Sequence, residues 1–322
     1  MFEFFLTAAI SFALAAVFGL LLIPLLTRLK FGQEIREEGP KWHQKKSGTP
    51  TMGGFIFIAA FLITVFLMPF INKNTEALKE IAMITAAALC FGAIGFIDDY
   101  IKVILKRNLG LTAKQKFSLQ VLVSLVFTSL IAGFGVIDMS VLIPFTDTYI
   151  NIGYLVLPLD MIVMLATVNS VNLTDGLDGL AATVTVFVSA FFALAADKIG
   201  DSAVFTVSAA ICGALIGFLI YNKYPAKVFM GDTGSLFLGG LLSAMAVYMK
   251  NPFILLIVGF VYVLESLSVI LQVAYFKKTG KRIFKMSPIH HHFEMCGFSE
   301  KKIVFLFSAA TVILCIIGYF GI

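Results

Sequence analysis

The stretch FGAIGFIDDYIKVI (residues 91–104) runs from an apolar segment into two adjacent aspartates, Asp98 and Asp99, with Lys102 close behind. Upstream, the apolar character extends back to residue 81, close to the roughly 20 residues a helix needs to cross a bilayer. Outward from this stretch the same pattern recurs. Apolar runs at 4–26, 51–71, 81–98, 117–137, 155–173, 179–196, 203–221, 234–249, 252–276 and 303–321 predict ten transmembrane helices. Pro158 and Asp160 interrupt the start of the fifth, and the ninth carries Glu265. Composition agrees: 59% of the 322 residues are hydrophobic and 13% charged, against about 25% charged in soluble domains. Mean hydropathy is +0.97. The chain reads as one all-α integral membrane domain over 1–322, without internal repeats or low-complexity tracts. The bilayer is its solvent.

The loops orient the spans. With ten spans, one side holds 27–50, 99–116, 174–178, 222–233 and 277–302, and 20 of the 24 Lys and Arg residues. The other side holds Lys73, Lys79, Lys198 and Lys250. Excess Lys and Arg mark the cytoplasmic side, which places both termini outside. The first residues, MFEFFLTAAISF, lack the basic start of a signal peptide, so no cleavable signal is expected. Residues 139–158 alternate and are rich in Val, Ile and Tyr, which suggests a small outer hairpin. Cys90, Cys212, Cys296 and Cys315 form no CxxC pair, and buried apolar thiols are expected.

Polar residues gather on the cation-rich side. On a continuing helix Lys102 shares a face with Asp98 and Asp99. A helix C-terminus already carries negative partial charge, so two acids there break the local rule. Such violations tend to mark function, and paired carboxylates suit divalent metal binding or proton abstraction. In VNSVNLTDGLDGLA (168–181), Asn172, Asp175 and Asp178 recur every three residues around Gly176, Leu177 and Gly179. A tight polar turn with Asp178 as N-cap is the plain reading; a ligand-binding loop is the functional one. In YNKYPAKVFMGDTGSLFLGG (221–240), Asp232 begins a helix as an N-cap or receives phosphate there. Phe229, expected to be exposed, is placed to stack on a base. In KMSPIHHHFEMCGF (285–298), His290, His291 and His292 cannot share one face, and they suit a phosphate or metal-linked site. KKSGTPTMGG (45–54) is not a Walker loop. Glu265, Ser268 and Gln272 fall on one face of the ninth span, as a polar contact between helices or a functional group at membrane depth.

Together these form a basin of carboxylates, lysines and histidines at the lipid boundary. It suits the joining of a soluble phosphate compound to a lipid phosphate through Mg²⁺. GTPTMGG, GFIDDYIK, NLTDGLDGLA, VFMGDTGSL and SPIHHHFE, in this order over nearly the whole chain, resemble the phospho-N-acetylmuramoyl-pentapeptide-transferase family. That family lies within the polyprenyl-phosphate N-acetylhexosamine-1-phosphate transferase superfamily. The resemblance implies transfer of phospho-MurNAc-pentapeptide from UDP-MurNAc-pentapeptide to undecaprenyl phosphate, giving UMP and lipid I of peptidoglycan synthesis. It further implies Mg²⁺, a homodimer, a multi-pass location in the bacterial cytoplasmic membrane and a cytoplasmic cleft. By similarity, Asp232 and Asp99 match metal ligands, and Asp98, Asp99, Asp232 and His291 match catalytic positions. Lys102 and Lys114 match cations near the phosphates. Lys46, Asn172, Asp175, Gly176, Leu177, Asp178, Asn222 and Phe229 match the nucleotide pocket, and Gln272, His290 and His292 the facing loop. No nucleic-acid partner is expected. One-step transfer and a two-step route through an aspartyl nucleophile both stay open. A relative using UDP-GlcNAc would share fold and metal but not HHHFE. A transporter would hold its acids at the midplane rather than at one surface.

Overall fold

The computed structural model describes residues 1–28, 48–103, 110–134, 139–146 and 148–322. The elements are α1 (Phe2–Arg28), α2 (Gly54–Ile71), α3 (Leu78–Val103), α4 (Ala113–Gly133), β1 (Ser140–Ile143), β2 (Thr148–Asn151), α5 (Val156–Thr174), α6 (Leu180–Ile199), α7 (Ser202–Asn222), α8 (Gly231–Tyr248), α9 (Leu255–Val258), α10 (Phe260–Thr279), α11 (Ile289–Met295) and α12 (Glu300–Tyr319). A helix stands at each of the ten expected positions. Among the described residues, nine helices are long and apolar enough to cross a membrane. The exception is α8, whose first turn is the polar Gly-Asp-Thr-Gly-Ser.

The ninth run departs from expectation. It is not one helix over 252–276 but a 3₁₀ turn at Pro252–Ile254, then α9, then a break at Gly259 before α10. A hairpin forms within the stretch expected for it, with β1 antiparallel to β2 and Val141 opposite Ile150. The four cysteines are free, but only Cys212 is buried; Cys90 and Cys296 are exposed.

Local chemistry sets several helix ends. Thr112 and Gln115 form a reciprocal capping box at the start of α4, which satisfies two otherwise orphaned backbone N–H groups. Asp201 accepts from Val204 N at 2.9 Å to begin α7. Gly200 and Gly280 end α6 and α10 in left-handed conformation.

The bundle is built around α8, which is buried from Thr233 to Val247. It packs chiefly on α3 and α5, and less on α2 and α6. Phe57, Phe61 and Phe237 meet edge-on or tilted in this core. At the periphery α1, α4, α10 and α12 show bare apolar surface, such as Leu20, Leu122, Ile270 and Phe305. Exposed leucines cost nothing where the surroundings are as apolar as they are.

Candidate active site

Four helices bring their polar ends together at one end of the bundle: the last turns of α3 and α5 and the first turns of α4 and α8. Gly95 permits the closest approach. A Cβ on it would stand 2.1 Å from the Asp232 carbonyl oxygen, so only glycine lets α3 lie against the start of α8. One turn later, Asp99 reaches the α8 N-terminus. Its Oδ1 accepts from Asp232 N at 3.1 Å, and its Oδ2 from Thr233 N at 2.8 Å and Thr233 Oγ1 at 2.7 Å. These are the N–H groups that a capping side chain ordinarily serves. The N-cap itself is Met230, whose side chain makes no such bond. Asp232 is therefore not the cap of its helix; Asp99 supplies the cap from α3.

Freed from capping, the Asp232 carboxylate turns to the side chains of α3, α4 and α5. Its Oδ2 lies 3.0 Å from Lys102 Nζ and 3.0 Å from Lys116 Nζ, and its Oδ1 accepts from Asn172 Nδ2 at 2.8 Å. Lys102 also pairs with Asp98, whose Oδ1 accepts from Leu111 N at 2.7 Å. Lys116 donates to Asn172 Oδ1 at 3.3 Å, and Asn172 donates to Ser235 Oγ at 2.8 Å. Burial opposes the Asp232 charge. The hydrogen bond shared with Asp98, the Lys116 and Lys102 ammoniums and Asn172 outweigh it and hold the carboxyl well below the usual range. Asp175, just beyond α5, goes the other way. Burial, and then the charges of Asp232, Asp99 and Asp178, push its carboxyl well above that range.

Several expected residues take other places. Lys114 is exposed, and Lys116 makes the contact with Asp232 instead. The capping box starts α4 at Ala113, and two residues along a helix turn about 200°. The two lysines therefore point to different sides of α4, and Lys116 is the one that reaches Asp232. Asp178 does not cap α6, whose N-cap is Gly179 at φ +77°; its Oδ2 accepts from Ala226 N at 2.9 Å. Leu177 is buried. Asn222 is buried and its Nδ2 donates to Val228 O at 3.0 Å, closing the loop after α7. Phe229 is half-buried rather than exposed. Its backbone N donates to Pro50 O, and its carbonyl accepts from Gly53 N, both at 2.8 Å. The Gly-Thr-Pro-Thr-Met-Gly-Gly run thus forms one wall of the Asp232 loop. Lys46 lies outside the described residues.

The three histidines have three different partners. His290 Nδ1 is 3.0 Å from Glu265 Oε2, His291 Nδ1 is 2.7 Å from Glu294 Oε2, and His292 Nδ1 accepts from Lys285 N at 3.1 Å. Gln272 accepts from Ile283 N and Phe284 N, each at 3.0 Å, and so fastens the loop between α10 and α11. Glu265, Ser268 and Gln272 do share one buried face of α10.

The donor set bears on the expected Mg²⁺. Among the described residues, no three His, Cys, Asp or Glu side chains are arranged as a metal cage. Mg²⁺ needs less: one or two carboxylates, with waters and substrate phosphates filling the rest. Asp232 and Asp98, joined through Lys102, fit that requirement. Asp99, expected beside Asp232 as a ligand, has both oxygens committed to α8.

The glycosyl transferase family 4 profile matches residues 81–250, which contain this whole cluster. A phospho-N-acetylmuramoyl-pentapeptide-transferase of Clostridium botulinum (strain Eklund 17B / Type B) is 50% identical over 312 residues, covering 97% of this chain and 94% of the relative. That of Clostridium perfringens (strain 13 / Type A) is 50% identical over 310 residues, 96% of each chain. The chain belongs to this family. A third member, from Clostridium kluyveri (strain ATCC 8527 / DSM 555 / NBRC 12016 / NCIMB 10680 / K1), is 47% identical from end to end of both chains. Family membership makes the chain a phospho-sugar transferase.

Proposed function

We propose that the chain transfers phospho-MurNAc-pentapeptide from UDP-MurNAc-pentapeptide to undecaprenyl phosphate, releasing UMP and forming lipid I, in a cleft on the cytoplasmic side. The observation that carries this is Asp232 held between two ammonium groups at 3.0 Å. Bringing a diphosphate and a lipid phosphate together concentrates negative charge. Lys102 and Lys116 are anchored at that point and can exchange a carboxylate contact for a phosphate oxygen without moving far. Fixed cations placed where charge accumulates lower the barrier because they need no reorganisation. Asn172 holds both Lys116 and Asp232 in register, and the protonation-prone Asp175 spares the nucleotide side a further negative charge. Asp232 with Asp98 would hold Mg²⁺, which supplies Lewis-acid stabilisation of the leaving UMP. Asp98 pairs with Lys102 and so positions it. A lipid phosphate monoester loses its second proton near neutrality, at about pH 6 for phosphoserine, so it needs little help from a base. The split of 20 Lys and Arg to 4 between the two sets of loops supports the cytoplasmic orientation, and the family resemblance supports a homodimer.

The test uses detergent-purified protein with undecaprenyl phosphate and Mg²⁺, offered UDP-MurNAc-pentapeptide or UDP-GlcNAc in parallel, with UMP and lipid product quantified. Product from the pentapeptide substrate alone is expected, and Asp232→Asn should abolish it. Product from UDP-GlcNAc alone would overturn the substrate assignment.

A further inference from the structure

Glu265 makes no contact with the lysine–aspartate cluster, yet it is fully buried in α10. Its Oε2 meets His290 Nδ1 at 3.0 Å and the His290 backbone N at 3.5 Å. His290 is itself fully buried. Its other ring nitrogen, Nε2, is buried without a hydrogen-bond partner. That nitrogen faces the α5–α6 turn, where a Cβ on Gly176 would stand 2.2 Å away. A carboxylate can only accept, so the nitrogen it meets carries the proton. In a neutral ring the other nitrogen is then a bare lone pair, and the partner of the first decides the state of the second. A helix-to-helix tie for stability alone would not need an unsatisfied acceptor pressed against a glycine. Local costs of this kind gather at functional sites.

We propose that Glu265 is a positioning residue for the transfer reaction. It holds His290 as the Nδ1–H tautomer, with Nε2 seated against the Asp175–Gly176 turn, and so registers α11 on the turn beside Asn172. The chain of contact runs from Glu265 through His290 to Gly176. Gly176 is required because any side chain there would displace the ring.

The inference rests on the proposed reaction only for its activity readout. Its first test needs no substrate. The chain holds 4 histidines, so ¹⁵N-histidine labelling gives few ring signals, and the one lost in His290→Gln is His290. In the wild type that signal should show a protonated Nδ1 and an unprotonated Nε2. Glu265→Gln keeps the shape but offers Nδ1 either an acceptor or a donor, and it should bring in the Nε2–H tautomer. An Nε2–H form in the wild type, or no change in Glu265→Gln, would overturn the proposal. The second test is a cycle. Glu265→Gln and Gly176→Ala should each lower kcat/KM by about 10- to 100-fold, as outer-shell changes do. Both act through one ring, so the double variant should lose no more than about threefold beyond the worse single. Multiplicative losses, or wild-type kcat/KM in Glu265→Gln, would overturn the positioning role even where the tautomer shifts.

Discussion

Lys114 and Lys116 differ by two positions, and the difference decides which one matters. Lys116 touches Asp232 and Asn172; Lys114 is exposed. Lys116→Ala should lower kcat by about 100-fold, the usual effect of losing one fixed stabilising donor, and Lys114→Ala should stay within about threefold of wild type. UMP release assays on the two variants decide this, and the reverse ranking would remove Lys116 from the site. Asp175 offers a pH test. Its folded carboxyl keeps its proton where the unfolded one, near pH 4, has lost it. Folding therefore takes up a proton, and stability falls as pH rises through that window. Asp175→Asn has no such penalty. Its Tm advantage over wild type should be smallest at about pH 4 and below, and grow as pH rises above that. An advantage that is flat across pH would show that folding does not shift the Asp175 carboxyl. Among the residues, Asp98, Asp99 and Asp232 were legible as a group from sequence. Their division of labour was not, because Asp99 caps a helix 133 positions away.

At the scale of elements, the site exists because α3 and α8 touch backbone to backbone. Gly95→Ala would place a methyl group 2.1 Å from the Asp232 carbonyl. Overpacking of this kind costs about 1–3 kcal/mol, and here it also shifts Asp99 off the α8 N-terminus. A lowered Tm together with lost turnover is expected. Gly133→Ala, in the last turn of α4 with nothing within 4 Å, is the control and should be neutral or slightly stabilising. Unchanged Tm and turnover in Gly95→Ala would mean that α3 and α8 stand further apart than described. Helix positions were legible because apolar runs of bilayer length leave few alternatives. The break at Gly259 was not, since Pro252–Val258 is as apolar as the helix that follows.

For the whole molecule, the asymmetry of 20 cations to 4 predicts which loops face the cytoplasm. A Lys73→Cys variant should react with a membrane-impermeant maleimide in intact cells, and Lys281→Cys only after permeabilisation; the opposite pattern would invert the orientation. The amino-acid sequence by itself determined that this chain is a helical membrane protein, where its helices lie and which polar motifs accompany them. Hydropathy and charge act locally and can be read residue by residue. Only the tertiary structure decided that Lys116 rather than Lys114 meets Asp232, that Asp99 caps α8 in place of Asp232, and that His290 belongs to Glu265. Each of these depends on which face of one helix meets the end of another, and interhelical packing sets that across separations of up to 134 residues.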